Sequence, residues 1–210
     1  MLYLYLTRHG ETIWNTQSRM QGRLDSPLTA KGLEQADSLA SQLEAVPLDL
    51  IVTSPAQRAL STVERILESR PDTVPVRIDG RIHEMDLGGW EGWSVSEAET
   101  ADPANLHAFL YEPQSFIPVG QGESFSQVSS RVASFLADLD AMAKASQTSG
   151  EDQHWLIISH NITLKALLAL MHDRPLAMLR DGPPIPQASL YRAWRNGHWT
   201  VEVPPAADKL

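Results

Sequence analysis

Arg8 and His9 follow the apolar run Leu2-Tyr3-Leu4-Tyr5-Leu6 and precede Gly10-Glu11-Thr12. A guanidinium and an imidazole therefore sit where a buried strand gives way to a loop. An arginine offers a planar fork that matches phosphate oxygens, and a neutral histidine offers a ring nitrogen that can attack phosphorus or accept a proton. The pair reads as a phosphate-handling site with His9 as nucleophile. Three other segments repeat this placement. Arg58 lies beyond the apolar run at 48–53, His83 and Glu84 lie beyond the run at 74–78, and His160 directly follows the run at 155–159. Singly, each has an ordinary reading: a strand-end imidazole satisfied by backbone, a surface ion pair, a helix cap, a solvated acid. Together they place two arginines, two or three histidines and one carboxylate at the carboxyl ends of strands, where α/β sheets bind their ligands.

That placement requires a particular set of elements. Residues 2–6 are too few for a helix and apolar enough for an interior strand, as are 48–53 and 155–159. Between the strands run amphipathic stretches. Leu33, Ala36, Leu39, Ala40 and Leu43 form one stripe entered through Thr29 as N-cap, and Leu164, Leu167, Leu168 and Met171 form another. Ser54-Pro55 predicts a helix start by serine capping and a proline in the first turn. The runs at 190–194 and 199–203, separated by Arg195-Asn196-Gly197-His198, predict a hairpin, with Asn-Gly supplying the positive backbone angles of a tight turn. The expected fold is a three-layer α/β/α sandwich with a mainly parallel central sheet and an antiparallel edge. It forms a single domain over 1–210, with a helical lid insertion at about 88–150. The second half of that insertion carries the stripe Phe125, Val128, Val132, Phe135, Leu136, Leu139 and Met142. Residues 145–150 and 204–210 read as a connector and a tail.

Composition narrows the function. The 26 acidic residues against 17 basic give a net charge of -9, which repels nucleic acid and anionic membrane over most of the surface. An anionic partner must therefore be a small phosphorylated molecule held in a local basic pocket. Zero cysteines remove thiolate nucleophiles, disulfides and cysteine zinc sites, and fit a reducing compartment. No segment has the apolar length of a membrane span, and the first residues carry no secretory pattern. A cytoplasmic protein is expected. His9, His83 and His160 have none of the local spacing of a zinc site, so neither a metal nor another cofactor is expected. The apolar edges of the hairpin would suit a homodimer.

The segments also match a known pattern in order. They are Leu6-Thr7-Arg8-His9-Gly10-Glu11-Thr12 with Trp14-Asn15, then residues 21–29 from Gln21-Gly22-Arg23 to Thr29 with Gly32, and Ser54-Pro55-Ala56-Gln57-Arg58-Ala59. Glu84-Met85-Asp86-Leu87-Gly88-Gly89-Trp90-Glu91-Gly92, Gly122-Glu123-Ser124 and Ser159-His160 follow. Over most of its length the chain resembles the histidine phosphatase superfamily, in its phosphoglycerate-mutase-like branch. The resemblance implies hydrolysis of a phosphomonoester through a phosphohistidine on His9. Glu84 would protonate the leaving alkoxide and then activate water, while Arg8, Arg58 and His160 hold the phosphate in place of a metal. It also implies phosphate or substrate contacts for Asn15, Gln21 and the Gly22 backbone. Two positions depart from the family. Asn161 stands where glycine is usual, keeping the backbone N–H but adding a side chain that narrows the pocket or adds a donor. Gln187-Ala188-Ser189 replaces a pattern that begins with asparagine. The insertion is not rich in basic residues that would clasp a second anionic group, which favours a phosphatase. The alternatives are a cofactor-dependent phosphoglycerate-type mutase and a non-catalytic module that binds phosphorylated ligands.

Overall fold

The computed structural model describes residues 1–204. In chain order the elements are β1 (Leu2–Arg8), the single-turn α1 (Ile13–Thr16), α2 (Ala30–Gln42), β2 (Leu50–Thr53), α3 (Gln57–Glu68), β3 (Val76–Ile78), α4 (Val95–Ala101), α5 (Pro103–Tyr111), α6 (Phe125–Ser149), β4 (Gln153–Ser159), α7 (Asn161–Met171), β5 (Leu190–Asn196) and β6 (His198–Glu202). The strands form one sheet in the order β3-β2-β4-β1-β5-β6. The first four run parallel, and the β5–β6 hairpin adds an antiparallel edge against β1.

The central strands are buried on both faces, which is why they read as unbroken apolar runs. On one face Leu2, Leu4, Leu6 and Ile157 pack with Val132, Phe135 and Leu139 of α6 and Leu164 and Leu167 of α7. On the other, Ile51, Leu156 and Ile158 pack with Leu39 and Leu43 and with Val63 and Ile66 of α3. Each fully buried leucine contributes about 1.5–3 kcal/mol relative to leaving it in water. The result is the expected three-layer sandwich, with β1, β2 and β4 ending side by side.

The structure corrects several local expectations. α6 does not lie over the strand ends. Its stripe is buried in the same core as the leucines of β1, so it is a layer of the sandwich, and the cover falls to the first half of the insertion, where α5 begins at Asp102-Pro103. Residues 145–149 continue α6 with Ser146 buried, and the helix stops at Gly150 in the left-handed conformation (φ +76). Of the expected tail, residues 205–210 lie outside the described residues. Leu33 is exposed on α2. The hairpin pairs Arg195 with Trp199 and Asn196 with His198, so its turn pivots on Gly197 (φ +78), and Asn196 is not among the positive-φ residues. Among the described residues no helix is long and apolar enough to cross a membrane.

Candidate active site

Of the nine residues expected at the site, all but His160 line one cavity of about 420 Å³ at the carboxyl ends of β1, β2 and β4. The backbone around His9 continues the ladder, with His9 N–H donating to the Ser159 carbonyl at 3.2 Å. The chain then turns sharply through Gly10. A Cβ there would stand 2.4 Å from the Gly32 carbonyl oxygen, so only glycine lets this loop pass the start of α2.

The His9 ring is 2% exposed. Its Nδ1 lies 2.8 Å from the Gly10 carbonyl, an acceptor, so Nδ1 carries the proton and Nε2 keeps its lone pair. Arg58 Nε donates to that Nε2 at 3.2 Å. Burial, and then the charges of Arg8 and Arg58, hold the imidazole pKa well below its usual value. His9 is thus a neutral imidazole at physiological pH, with a lone pair on Nε2. Burial also pushes the Arg8 guanidinium down to about 10, which leaves it charged. Arg8 Nη1 donates to the Ile185 carbonyl at 3.0 Å, and its Nε is buried with no partner.

Arg58 is fixed from a distance. The N-cap of α3 is Ala56, not Ser54, and it has no side-chain cap bond. The free N–H groups of Gln57 and Arg58 are taken by the Asp25 carboxylate at 2.8 and 3.3 Å, and the same carboxylate accepts Arg58 Nη1 at 2.8 Å. The carbonyls of Leu24 and Gly22 accept the rest of the fork, each at 2.8 Å. Gly22 supports this with φ +54, and a Cβ on it would lie 2.1 Å from Glu91 Oε1.

Glu84 performs the same service for α7. His160 is the N-cap residue but makes no side-chain cap bond. The Glu84 carboxylate accepts the N–H groups of Ile162 and Thr163 at 3.2 and 3.3 Å, the Thr163 hydroxyl at 3.2 Å and its neighbour Met85 N–H at 2.9 Å. His160 itself is fully buried beside His9, ring centroids 5.2 Å apart, rather than on the cavity wall. Its Nε2 meets Ser54 Oγ at 2.7 Å and its Nδ1 has no partner. Burial, then Arg58 and His9, hold its pKa well below the usual value, so this imidazole is neutral and flanks His9. His83 stacks against it, ring centroids 5.8 Å apart.

Asn15 closes the capping box of α1 with Thr12. Gln21 Nε2 contacts the Thr12 hydroxyl at 2.7 Å while its Oε1 is buried without a partner. That hydroxyl already accepts Asn15 N–H, so the reverse amide orientation, with Oε1 accepting from Thr12, turns the NH₂ to the open position. Asn161 lines the cavity. Its Oδ1 accepts Ile185 N–H at 2.8 Å, so the extra side chain pins the segment around Ile185. Gln187 lines the cavity from that segment, as does Arg180. Sequence reasoning missed Asp25, Ser54, Thr163 and Arg180. Asp25 and Ser54 lie within matched motifs, while Thr163 and Arg180 come together with the site only in the fold.

The order of motifs and the assembled site agree with a family comparison in which the histidine phosphatase superfamily (branch 1) matches residues 4–204. The chain belongs to this superfamily. It is 35% identical to the adenosylcobalamin/alpha-ribazole phosphatase of Escherichia coli K12 over 82% of its own length and 80% of that protein. It is 32% identical to a probable phosphoglycerate mutase GpmB of Escherichia fergusonii over 100% of its length and 99% of that protein. The solved structure of Bacillus stearothermophilus YhfR superposes with a TM-score of 0.83 at 37% identity, covering 100% of this chain and 98% of that one.

The buried neutral imidazoles of this histidine phosphatase have a consequence for stability. In the unfolded chain each histidine titrates near about 6.5, whereas His9 and His160 titrate lower in the fold. Their contribution is complete above pH 6.5 and is lost as the pH falls below it, because the unfolded chain then takes up protons that the native state refuses. Urea unfolding should give about 2 to 3 kcal/mol less stability at pH 5.5 than at pH 7. His9→Gln should remove roughly half of that dependence, leaving the part due to His160, and equal stability of the wild type at the two pH values would contradict the buried neutral assignment.

Proposed function

We propose that this histidine phosphatase hydrolyses small phosphomonoesters through a phosphohistidine on His9. One observation carries the reading: the His9 ring is held with Nδ1 bonded to the Gly10 carbonyl and a lone pair on Nε2 beside Arg58 in the cavity. Phosphoryl transfer needs positioning and charge neutralisation more than covalent help from the protein. Arg8 and Arg58 supply the charge, with Asn15, Gln21 and the Gly22 backbone around them. Nε2 attacks phosphorus in line, the bond from phosphorus to the ester oxygen breaks, and Glu84 gives its proton to the departing alkoxide. Water then attacks the phosphohistidine, Glu84 takes a proton from it, and the N–P bond breaks to release phosphate and neutral His9. One carboxylate thereby serves as acid and then as base.

The naming of the Escherichia coli relative as a phosphatase supports this reading. We assign the protein to the cytoplasm, in keeping with the absence of cysteine from the sequence. The test is a base-quenched reaction with p-nitrophenyl phosphate labelled at phosphorus. Alkali-stable, acid-labile label is expected on the His9 peptide of wild type and on none from His9→Ala. Label on another residue would refute the nucleophile. The GpmB relative keeps the mutase as the rival, and isomerisation of 3-phosphoglycerate that needs bisphosphoglycerate and outpaces hydrolysis would establish it instead.

A further inference from the structure

Four arginines line the cavity, and three are committed to the protein. Arg58 has its whole fork engaged. Arg8 holds the Ile185 carbonyl, and Arg19 holds the Gly92 carbonyl at 2.7 Å with Glu97 3.9 Å away. Arg180 differs. Among the described residues its guanidinium donates no hydrogen bond at all and has no carboxylate within ion-pair distance; its Nε, like that of Arg8, is buried without a partner. It lies over an aromatic ring instead, Cζ 4.8 Å from the Phe109 centroid. Arg180 and Glu84 line the same cavity, and burial lowers the Arg180 pKa while the charge of Glu84 opposes that.

A partly buried cation without a counterion is costly unless something else compensates it. The fold nevertheless spends several contacts on holding it there. Lys165 Nζ donates to the carbonyls of Arg180, Asp181 and Gly182 at 3.0, 3.1 and 2.9 Å. Asn161, one turn earlier on the same face of α7, accepts Ile185 N–H. The departure at Asn161 is thus part of the anchor for the segment that presents Arg180. Beside Arg180 the cavity wall is apolar, formed by Leu106, Phe109 and Leu110 of α5.

We propose that Arg180 is a second anion subsite, which selects phosphomonoesters whose alcohol part has an apolar body ending in a carboxylate. The body lies against the α5 wall, and the planar fork of Arg180 donates paired hydrogen bonds to the carboxylate. The proposal rests on the hydrolase reading and places the missing basic group outside the insertion, on the segment after α7.

The test compares 4-carboxyphenyl phosphate with its neutral isostere 4-carbamoylphenyl phosphate, in wild type and in Arg180→Met. The ratio of kcat/KM values, carboxylate over amide, should fall about tenfold to a hundredfold in the variant, mainly through KM. Arg180→Lys, which keeps a point charge without the fork, should fall between. Any loss from disturbed packing on Phe109 is common to both esters and cancels in the ratio. A ratio unchanged by Arg180→Met overturns the subsite. Calorimetric binding of the two corresponding arylphosphonates makes the same comparison without turnover. Failure to hydrolyse either ester therefore counts against the hydrolase reading, while the phosphonates still decide the subsite.

Discussion

Glu84→Gln should lower kcat on alkyl phosphates by about 10²–10⁴-fold, the usual cost of removing a positioned acid–base group. The reason lies in its two roles. The amide keeps one oxygen to accept the N–H groups of Met85 and Thr163, so the start of α7 stays capped. Its NH₂ replaces the oxygen that accepted Ile162 N–H, a local loss of about 1 kcal/mol. What disappears is the proton for the leaving oxygen and the base for water. p-Nitrophenolate leaves without much protonation, so with that ester the first step should survive better than the second and phosphoenzyme should accumulate. A rapid burst of p-nitrophenolate followed by slow turnover, with phosphate binding retained, is the expected trace. Equal loss on alkyl and aryl esters with no burst would remove Glu84 from the proton-transfer role.

Arg58→Met should cost both stability and rate. The guanidinium is 1% exposed, but its partner Asp25 is 31% exposed, so the stability loss comes mainly from the buried acceptors left unpaired, about 1–3 kcal/mol each. Here the loss leaves the carbonyls of Gly22 and Leu24 without their donors and frees the loop that lines the phosphate side of the cavity. The variant also removes a preorganised donor, for which a loss of about 10²–10³-fold in kcat is typical. With one neighbouring cation gone, the His9 ring accepts a proton more readily, so the acid limb of the kcat/KM profile should move to higher pH. Urea unfolding and a pH–rate profile read these effects separately. A variant as stable as wild type would show that the fork does not hold the loop. Asp25→Asn, which keeps an acceptor for the α3 N–H groups, should cost less.

Much of the site was legible before the fold because strand and motif coincide. A strand buried on both faces must be apolar throughout, so the polar residues at its end stand out, and Arg8, His9 and His160 were found in that way. Asn15, Gln21 and Gly22 were legible only through the family pattern, since single loop residues carry no periodicity. The role of α6 was not legible. Its stripe reveals that one face is buried and says nothing about the partner, which proved to be the leucines of β1. Capping was misread at α3, where Ser54 was expected to serve, and the cap of α7 was not foreseen. Local rules seek the cap next to the first turn, whereas α3 is capped by Asp25 and α7 by Glu84, from 32 and 78 residues away at the nearest.

By itself the amino-acid order determined the sheet with its antiparallel edge and singled out Arg8, His9 and His160, because each is a local contrast between an apolar strand and a polar end, whereas Glu84 was singled out through the family pattern. Tertiary structure alone decided that His160 flanks His9 from within the core, that the Glu84 carboxylate both caps α7 and lines the cavity, and that Arg180 reaches the cavity from a segment beyond α7. Those outcomes depend on distances between residues far apart in the chain, and a one-dimensional pattern carries no measure of such distances.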